Sequence, residues 1–175
     1  MEWNGFTVQC PLVLGGSVNE AEVLGASVWL WMHSAWHKEA PLEALPALLL
    51  PVIKKQQYVL AFQEGRPVFF MSWAWLDEDA EQRYLTRLPL LVPENSWRCG
   101  DRMWVTDWIA PFGHTRQMVS LVLSELFPDS CFRSLWHRGA ERGKRVKHFR
   151  GRRVSLPQIR AWQTAHPLSA VVQEC

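Results

Sequence analysis

The sequence predicts a mixed α/β layer fold, and three observations carry that prediction. Two apolar runs, QYVLAFQ and RPVFFMSWAWL, are joined by Glu64 and Gly65 and read as a β-hairpin. A third strand-like run, MWVTDWIAPF, leads into APFGHTRQMVSLVLSELFP, a turn and then a helix with Val119, Leu123 and Leu126 among its buried positions. An apolar helical segment precedes the hairpin, so helices and a mostly antiparallel sheet must be layered on one core.

Taken in order, residues 1–16 show no clear period and are expected to form a loose arm. Ser17 with Glu20, or Asn19 with Glu22, gives a capping-box pattern before EVLGASVWLWMHS, a helix ending near Ser34. His37 follows in the short connector SAWHKEA. Pro41 opens a second helical stretch, LEALPALLLPVIKKQ, which Pro46 and Pro51 must kink or divide because each lacks an N–H and crowds the preceding turn. After the hairpin, residues 77–101 are polar and proline-punctuated, a connection with about one helical turn. CFRSLWHR and RVKHFRG are two further strands, and a C-terminal helix over 156–172 ends the chain. This element order is compatible with an acetyltransferase-like, GNAT-type core, although order alone does not establish function.

At 175 residues and 48% hydrophobic content the chain has the size and apolar material of a single domain spanning 1–175. Eleven Trp is well above ordinary usage, which calls for a core of flat rings or a long apolar pocket. No window approaches the ~18 unbroken apolar residues of a membrane span, and MEWNGFTVQC lacks the basic and apolar regions of a signal peptide, so a cytoplasmic protein is expected. Cys10, Cys99, Cys131 and Cys175 are scattered, with no CxxC pair and no His at ligand spacing; neither disulfide nor metal site is predicted. The net charge of +2 hides an asymmetry, because 138–154 holds eight basic residues against Glu141 alone. Such a one-sided face suits an anionic partner.

Two residues invite chemistry. Asp107 lies inside an aromatic strand, where a carboxylate costs several kcal/mol, roughly, unless a donor or cation meets it. Met103, Val105, Asp107 and Ile109 share one face, Trp104, Thr106, Trp108 and Ala110 the other, and both faces read as buried. Backbone N–H groups or Arg102 would satisfy the carboxylate structurally. His37 is the alternative partner. An Asp that accepts from one imidazole nitrogen fixes the tautomer and leaves the other nitrogen to act as a general base. Ser34, three residues before His37, would cap the helix, donate to a reacting oxygen or bind the histidine. It lacks a G-x-S-x-G nucleophile elbow. No cysteine lies in an activating setting.

The segments LGASVWLWMHSAWHKEAP (24–41), QYVL, SWAWL, GDRMWVTDWIAPFG (100–113), FPDSCFRSL and RVKHFRG closely resemble the RTX toxin-activating lysine acyltransferases of the haemolysin C type. The likeness runs in order over about 22–154. It implies a GNAT-like fold and a homodimer. It also implies transfer of a fatty acyl chain from acyl carrier protein to internal lysines of an RTX protoxin in the bacterial cytosol. The essential histidine and aspartate of that family fall on His37 and Asp107, with Ser34, Trp108 and Arg102 in support. No bound cofactor is implied; acyl-ACP enters as the donor substrate through its phosphopantetheine thioester. Since carrier proteins are acidic, Arg133, Arg142, Lys144, Arg145, Lys147 and Arg150 are the expected docking residues. Met71 stands where several members have cysteine before SWA, which argues against an obligatory acyl-cysteine there.

Other classes remain open on the residues alone. The basic stretch would serve as a nucleic-acid surface with bases stacked on Phe149 or Trp136, leaving His37 and Asp107 unexplained. A catalytically silent toxin chaperone would need no base. A small-molecule N-acetyltransferase using acetyl coenzyme A would need a Gly-rich pyrophosphate loop, and PFGHTRQM has one glycine.

Overall fold

The computed structural model describes residues 1–87, 94–135, 145–170 and 173–174. They form a mixed α/β, GNAT-like fold in which antiparallel strand pairs outnumber parallel ones. The chain divides into two compact units, Met1–Trp73 with Asp107–Val119, and Ala74–Thr106 with Ser120–Cys175.

In the first unit the N-terminal segment is not a loose arm. β1 (Glu2–Trp3) and β2 (Phe6–Gln9) form a hairpin, and β2 pairs with β3 (Tyr58–Gln63) through Thr7↔Phe62, Val8↔Ala61 and Gln9↔Leu60. The turn takes φ of 46° at Asn4 and 83° at Gly5, the two positive values a two-residue type I′ hairpin requires. Trp-Asn-Gly-Phe carried that signal in the sequence. Phe6 and Val8 are buried, which ties the segment down. A single helical turn follows, α1 (Pro11–Leu14).

The first long helix, α2, spans Glu20–His33 and starts where expected. Asn19, rather than Ser17, is the N-cap; its side-chain oxygen accepts from Ala21 N at 2.9 Å and Glu22 N at 3.4 Å. Such a cap contributes about 1 kcal/mol. Val23, Ser27, Leu30 and Trp31 recur at helical spacing and form the buried face. The next helical stretch is divided at its prolines: a π-helical turn, Leu45–Leu49, has Pro46 in its first turn, and α3 (Leu50–Lys54) has Pro51 in its own. Each proline thus sits where its missing N–H is least needed.

The predicted hairpin is present, with β3 antiparallel to β4 (Arg66–Leu76) in a register that sets Tyr58 opposite Ser72 and Val59 opposite Met71. Tyr58, Val59, Leu60, Ala61, Phe69, Phe70, Met71 and Trp73 are fully buried and make the core of this unit. Side chains alternate, so Ser72 and Phe70 face one side of β4 and Phe69, Met71 and Trp73 the other.

In the second unit the expected connection over 77–101 contains a nine-residue helix, α4 (Glu78–Thr86). Asp77 caps it by accepting from Ala80 N at 2.7 Å, and Glu78, Asp79 and Glu81 complement the helix dipole in its first turn. A 3₁₀ turn, Glu94–Trp97, precedes β5 (Arg102–Ile109), whose last three residues belong to the first unit. α5 (Thr115–Leu121) runs into a π-helical turn, Val122–Leu126. β6 (Cys131–Leu135) is parallel to β5 and antiparallel to β7 (Arg145–Arg150). α6 (Leu156–Ala165) carries a full capping box between Ser155 and Gln158 but stops short of the predicted 172, since His166 caps it and Pro167 follows. A short β8 (Gln173–Glu174) pairs parallel with β7. Among the described residues no helix is long and apolar enough to cross a membrane.

Candidate active site

His37 is placed by the way α2 ends. Ser34 is the C-cap, in extended conformation with φ −90° and ψ 126°, and its carbonyl accepts from His37 N at 3.2 Å and Lys38 N at 3.1 Å. That turn brings the side chains three residues apart together. Ser34 Oγ lies 2.8 Å from His37 Nδ1. Trp31, on the buried face of α2, sets its ring centroid 4.9 Å from that of His37 and supports one side of the imidazole.

Asp107 reaches the same point from β5. Met103, Trp104, Val105 and Ile109 are buried, but Thr106, Asp107 and Trp108 are only half-buried, so the strand opens where its carboxylate lies. The opening explains how an ionised group is tolerated in this aromatic run. Asp107 Oδ1 is 3.1 Å from His37 Nε2, and Oδ2 accepts from Ser72 Oγ at 3.2 Å. The side chains of His37 and Asp107 are each 17% exposed, enough for substrate to arrive and too little for bulk water to screen the pair fully.

Because Asp107 is acceptor-only when ionised, the imidazole proton belongs on Nε2, and Nδ1 is the unprotonated nitrogen that accepts from the Ser34 hydroxyl. The result is a continuous chain, Ser34 O–H to His37 to Asp107, closed by Ser72. Three of these residues were singled out from sequence and are brought together. Ser72 was not, although it lies in the quoted SWAWL segment; a lone serine in an apolar strand was its only signal.

The other expected residues go elsewhere. Trp108 projects to the opposite side of β5 from Asp107 and packs edge-on against Phe69, with centroids 4.8 Å apart, so its support is packing. Arg102 is not a partner of Asp107: it donates to Glu81 at 2.7 Å and to Pro167 O at 2.5 Å. Arg133 is 1% exposed, donates to Glu81 at 2.9 Å and to His166 O, and stacks over Trp162 at 4.7 Å. A guanidinium sealed this way cannot meet a carrier protein, so Arg133 is corrected to a structural residue. Glu81, fully buried, also accepts from Trp104 Nε1 at 2.8 Å and from Ser169 N at 3.1 Å. The sequence reading missed this hub because 77–101 reads as polar connection.

Of the remaining basic residues, Lys147 and Arg150 are exposed and Arg145 is half-buried, while Arg142 and Lys144 lie outside the described residues, as does Trp136. Among the described residues the thiols are unfavourable nucleophiles: burial pushes Cys10 up to about 12 and also raises Cys99 and Cys131.

A hydroxyl, an imidazole and a carboxylate form one hydrogen-bonded chain on a GNAT-like α/β scaffold, an arrangement able to hold and move a proton. The particular family follows from comparison with known proteins. Residues 16–150 match the RTX toxin acyltransferase family, and the chain belongs to it. It is 38% identical over 131 residues to the leukotoxin-activating lysine-acyltransferase LktC of Mannheimia haemolytica serotype A1, covering 74% of this chain and 77% of that protein. It is 37% identical over 156 residues to the protein-lysine palmitoyltransferase CyaC of Bordetella bronchiseptica, covering 89% and 83%. With the protein-lysine myristoyltransferase RtxC of Kingella kingae it shares 36% over 131 residues, 75% and 77% of the two chains.

Proposed function

We propose that this protein is a cytoplasmic protein-lysine acyltransferase that moves a long fatty acyl chain from acyl carrier protein to lysines of an RTX protoxin, and that His37 is its general base. The observation that carries the reading is the Ser34–His37–Asp107 chain, because it sets a carboxylate against one imidazole nitrogen and a hydroxyl against the other. The names of the relatives, which include lysine-acyltransferases, a palmitoyltransferase and a myristoyltransferase, support the acceptor and the long donor chain.

A free lysine ammonium has a pKa of about 10.4, so attack requires removal of a proton. In this reading the amine loses it through the Ser34 hydroxyl to His37 Nδ1, while Asp107 stabilises the imidazolium through Nε2. The neutral nitrogen attacks the thioester carbonyl; the C–N bond forms, the C–S bond breaks as the imidazolium protonates the departing pantetheine thiolate, and the regenerated His37 takes the remaining extra proton from the new amide nitrogen and releases it to water. No covalent enzyme intermediate is needed, in keeping with raised cysteine pKa values and Met71 before the SWA segment. The exposed Lys147 and Arg150 offer the acidic carrier protein a complementary surface.

The test is intact mass of a protoxin fragment incubated with this protein and C14- or C16-loaded carrier protein. A hydroxylamine-resistant gain of one acyl chain, absent with His37→Ala and reduced about tenfold with Ser34→Ala, is expected. No gain from the wild-type protein with a cognate fragment and either chain length would return the reading to a non-catalytic toxin chaperone.

A further inference from the structure

We propose that Ser72 is a positioning residue for this chemistry, fixing the Asp107 carboxylate so that Oδ1 is presented to His37 Nε2. The inference rests on the roles given to His37 and Asp107 above. Its basis is that the two oxygens of Asp107 have different partners: Oδ1 faces the imidazole at 3.1 Å and Oδ2 accepts from the Ser72 hydroxyl at 3.2 Å.

The two ends of that hydrogen bond differ in rigidity. Ser72 is 1% exposed, in the middle of β4, and is held in register against Tyr58. The neighbours Met71 and Trp73 are fully buried, so the hydroxyl starts from a fixed point of the sheet. Asp107 lies instead where β5 opens to solvent. The terminal torsion of an aspartate is broad, and the strand backbone alone does not choose which oxygen meets the imidazole. A donor on Oδ2 makes that choice. It also favours the charged carboxylate, which the imidazolium needs opposite it.

Without the hydroxyl, Oδ2 loses a buried donor and the carboxylate samples orientations that miss Nε2. His37 then has a weaker hold on the Nε2–H tautomer and its imidazolium is less supported. The maximal rate falls, while the surfaces that bind donor and protoxin are untouched.

The experiment compares wild type with Ser72→Ala and Ser72→Thr, the second retaining a hydroxyl. Ser72→Ala is expected to lower kcat ~10- to 100-fold with KM for both substrates unchanged; Ser72→Thr should recover most of kcat. Since the added methyl must fit a sealed site, ¹⁵N NMR of the histidine rings supplies a second readout that needs no substrate. Wild type should show His37 as the Nε2–H tautomer, and Ser72→Ala a mixture. An unchanged tautomer in Ser72→Ala, with activity reduced only in proportion to folded protein, overturns the proposal. If wild type acylates nothing, the tautomer still decides Ser72 independently of the acyl-transfer reading.

Discussion

Asp107→Asn is the most informative single perturbation of the site. Asparagine keeps the shape and can hold Ser72 through its carbonyl, so packing on β5 is preserved and the charge opposite His37 is what disappears. A unit pair about 4 Å apart is worth ~4 kcal/mol at an effective dielectric constant near 20. The 3.1 Å contact belongs to that regime, and 17% exposure of both side chains lowers the figure through screening. A loss of 3–4 kcal/mol in imidazolium stabilisation corresponds to about two to three decades in rate, since each ~1.4 kcal/mol is tenfold. The amide can also present its NH₂ to Nε2 and select the wrong tautomer, which adds to the loss. The assay is single-turnover acylation of a protoxin fragment, followed by mass spectrometry at saturating carrier protein, with circular dichroism and melting to confirm the fold. The expected result is a rate reduced ~10²- to 10³-fold with native-like melting. A rate within fivefold of wild type would show that the carboxylate does not support the base, and the reasoning from the 3.1 Å contact would fail.

Two further outcomes follow from other parts of the molecule. Glu81→Ala leaves Arg102 and Arg133 buried without their carboxylate and should destabilise the protein by about 3–5 kcal/mol in urea unfolding; a change under about 1 kcal/mol would mean that the two guanidinium groups find other acceptors. In alkali, Cys10 and Tyr58 are held protonated by burial, each pushed up to about 12 from ordinary values of 9.0 and 10.0. The folded state therefore binds more protons than the unfolded chain above pH ~9, and stability must fall as pH rises from there toward 12. Cys10→Ala should remove the part of the decline that begins near pH 9, and a melting-temperature profile identical to wild type would contradict the burial of that thiol.

Local patterns were legible wherever a segment's own chemistry suffices. A cap at Ser17 or Asn19, the helix ending at Ser34, the hairpin through Glu64 and Gly65 and the strand carrying Asp107 all follow from spacing and turn residues, and the structure selects Asn19. Even the hairpin at Asn4 and Gly5 had its signal; it was passed over because β1 and β2 are too short to show a period. α4 was underestimated for a different reason. Its apolar positions are few, and what secures it is the burial of Glu81 among distant donors, which no local window contains.

Sequence alone was enough to show a mixed α/β protein, to place most but not all of its strands and helices, and to single out His37 and Asp107 as residues whose chemistry must be explained. Those facts depend on periodicity, caps and residue types, all local in the chain. Which nitrogen of His37 faces Ser34 and which faces Asp107, which oxygen of Asp107 meets Ser72, and why Arg102 and Arg133 serve Glu81 rather than the site emerge from tertiary packing alone. The partners are 70, 35, 21 and 52 residues apart. Hydrogen bonds are fixed to within a few tenths of an ångström by strand register and helix termini, and no one-dimensional pattern encodes a distance of that kind.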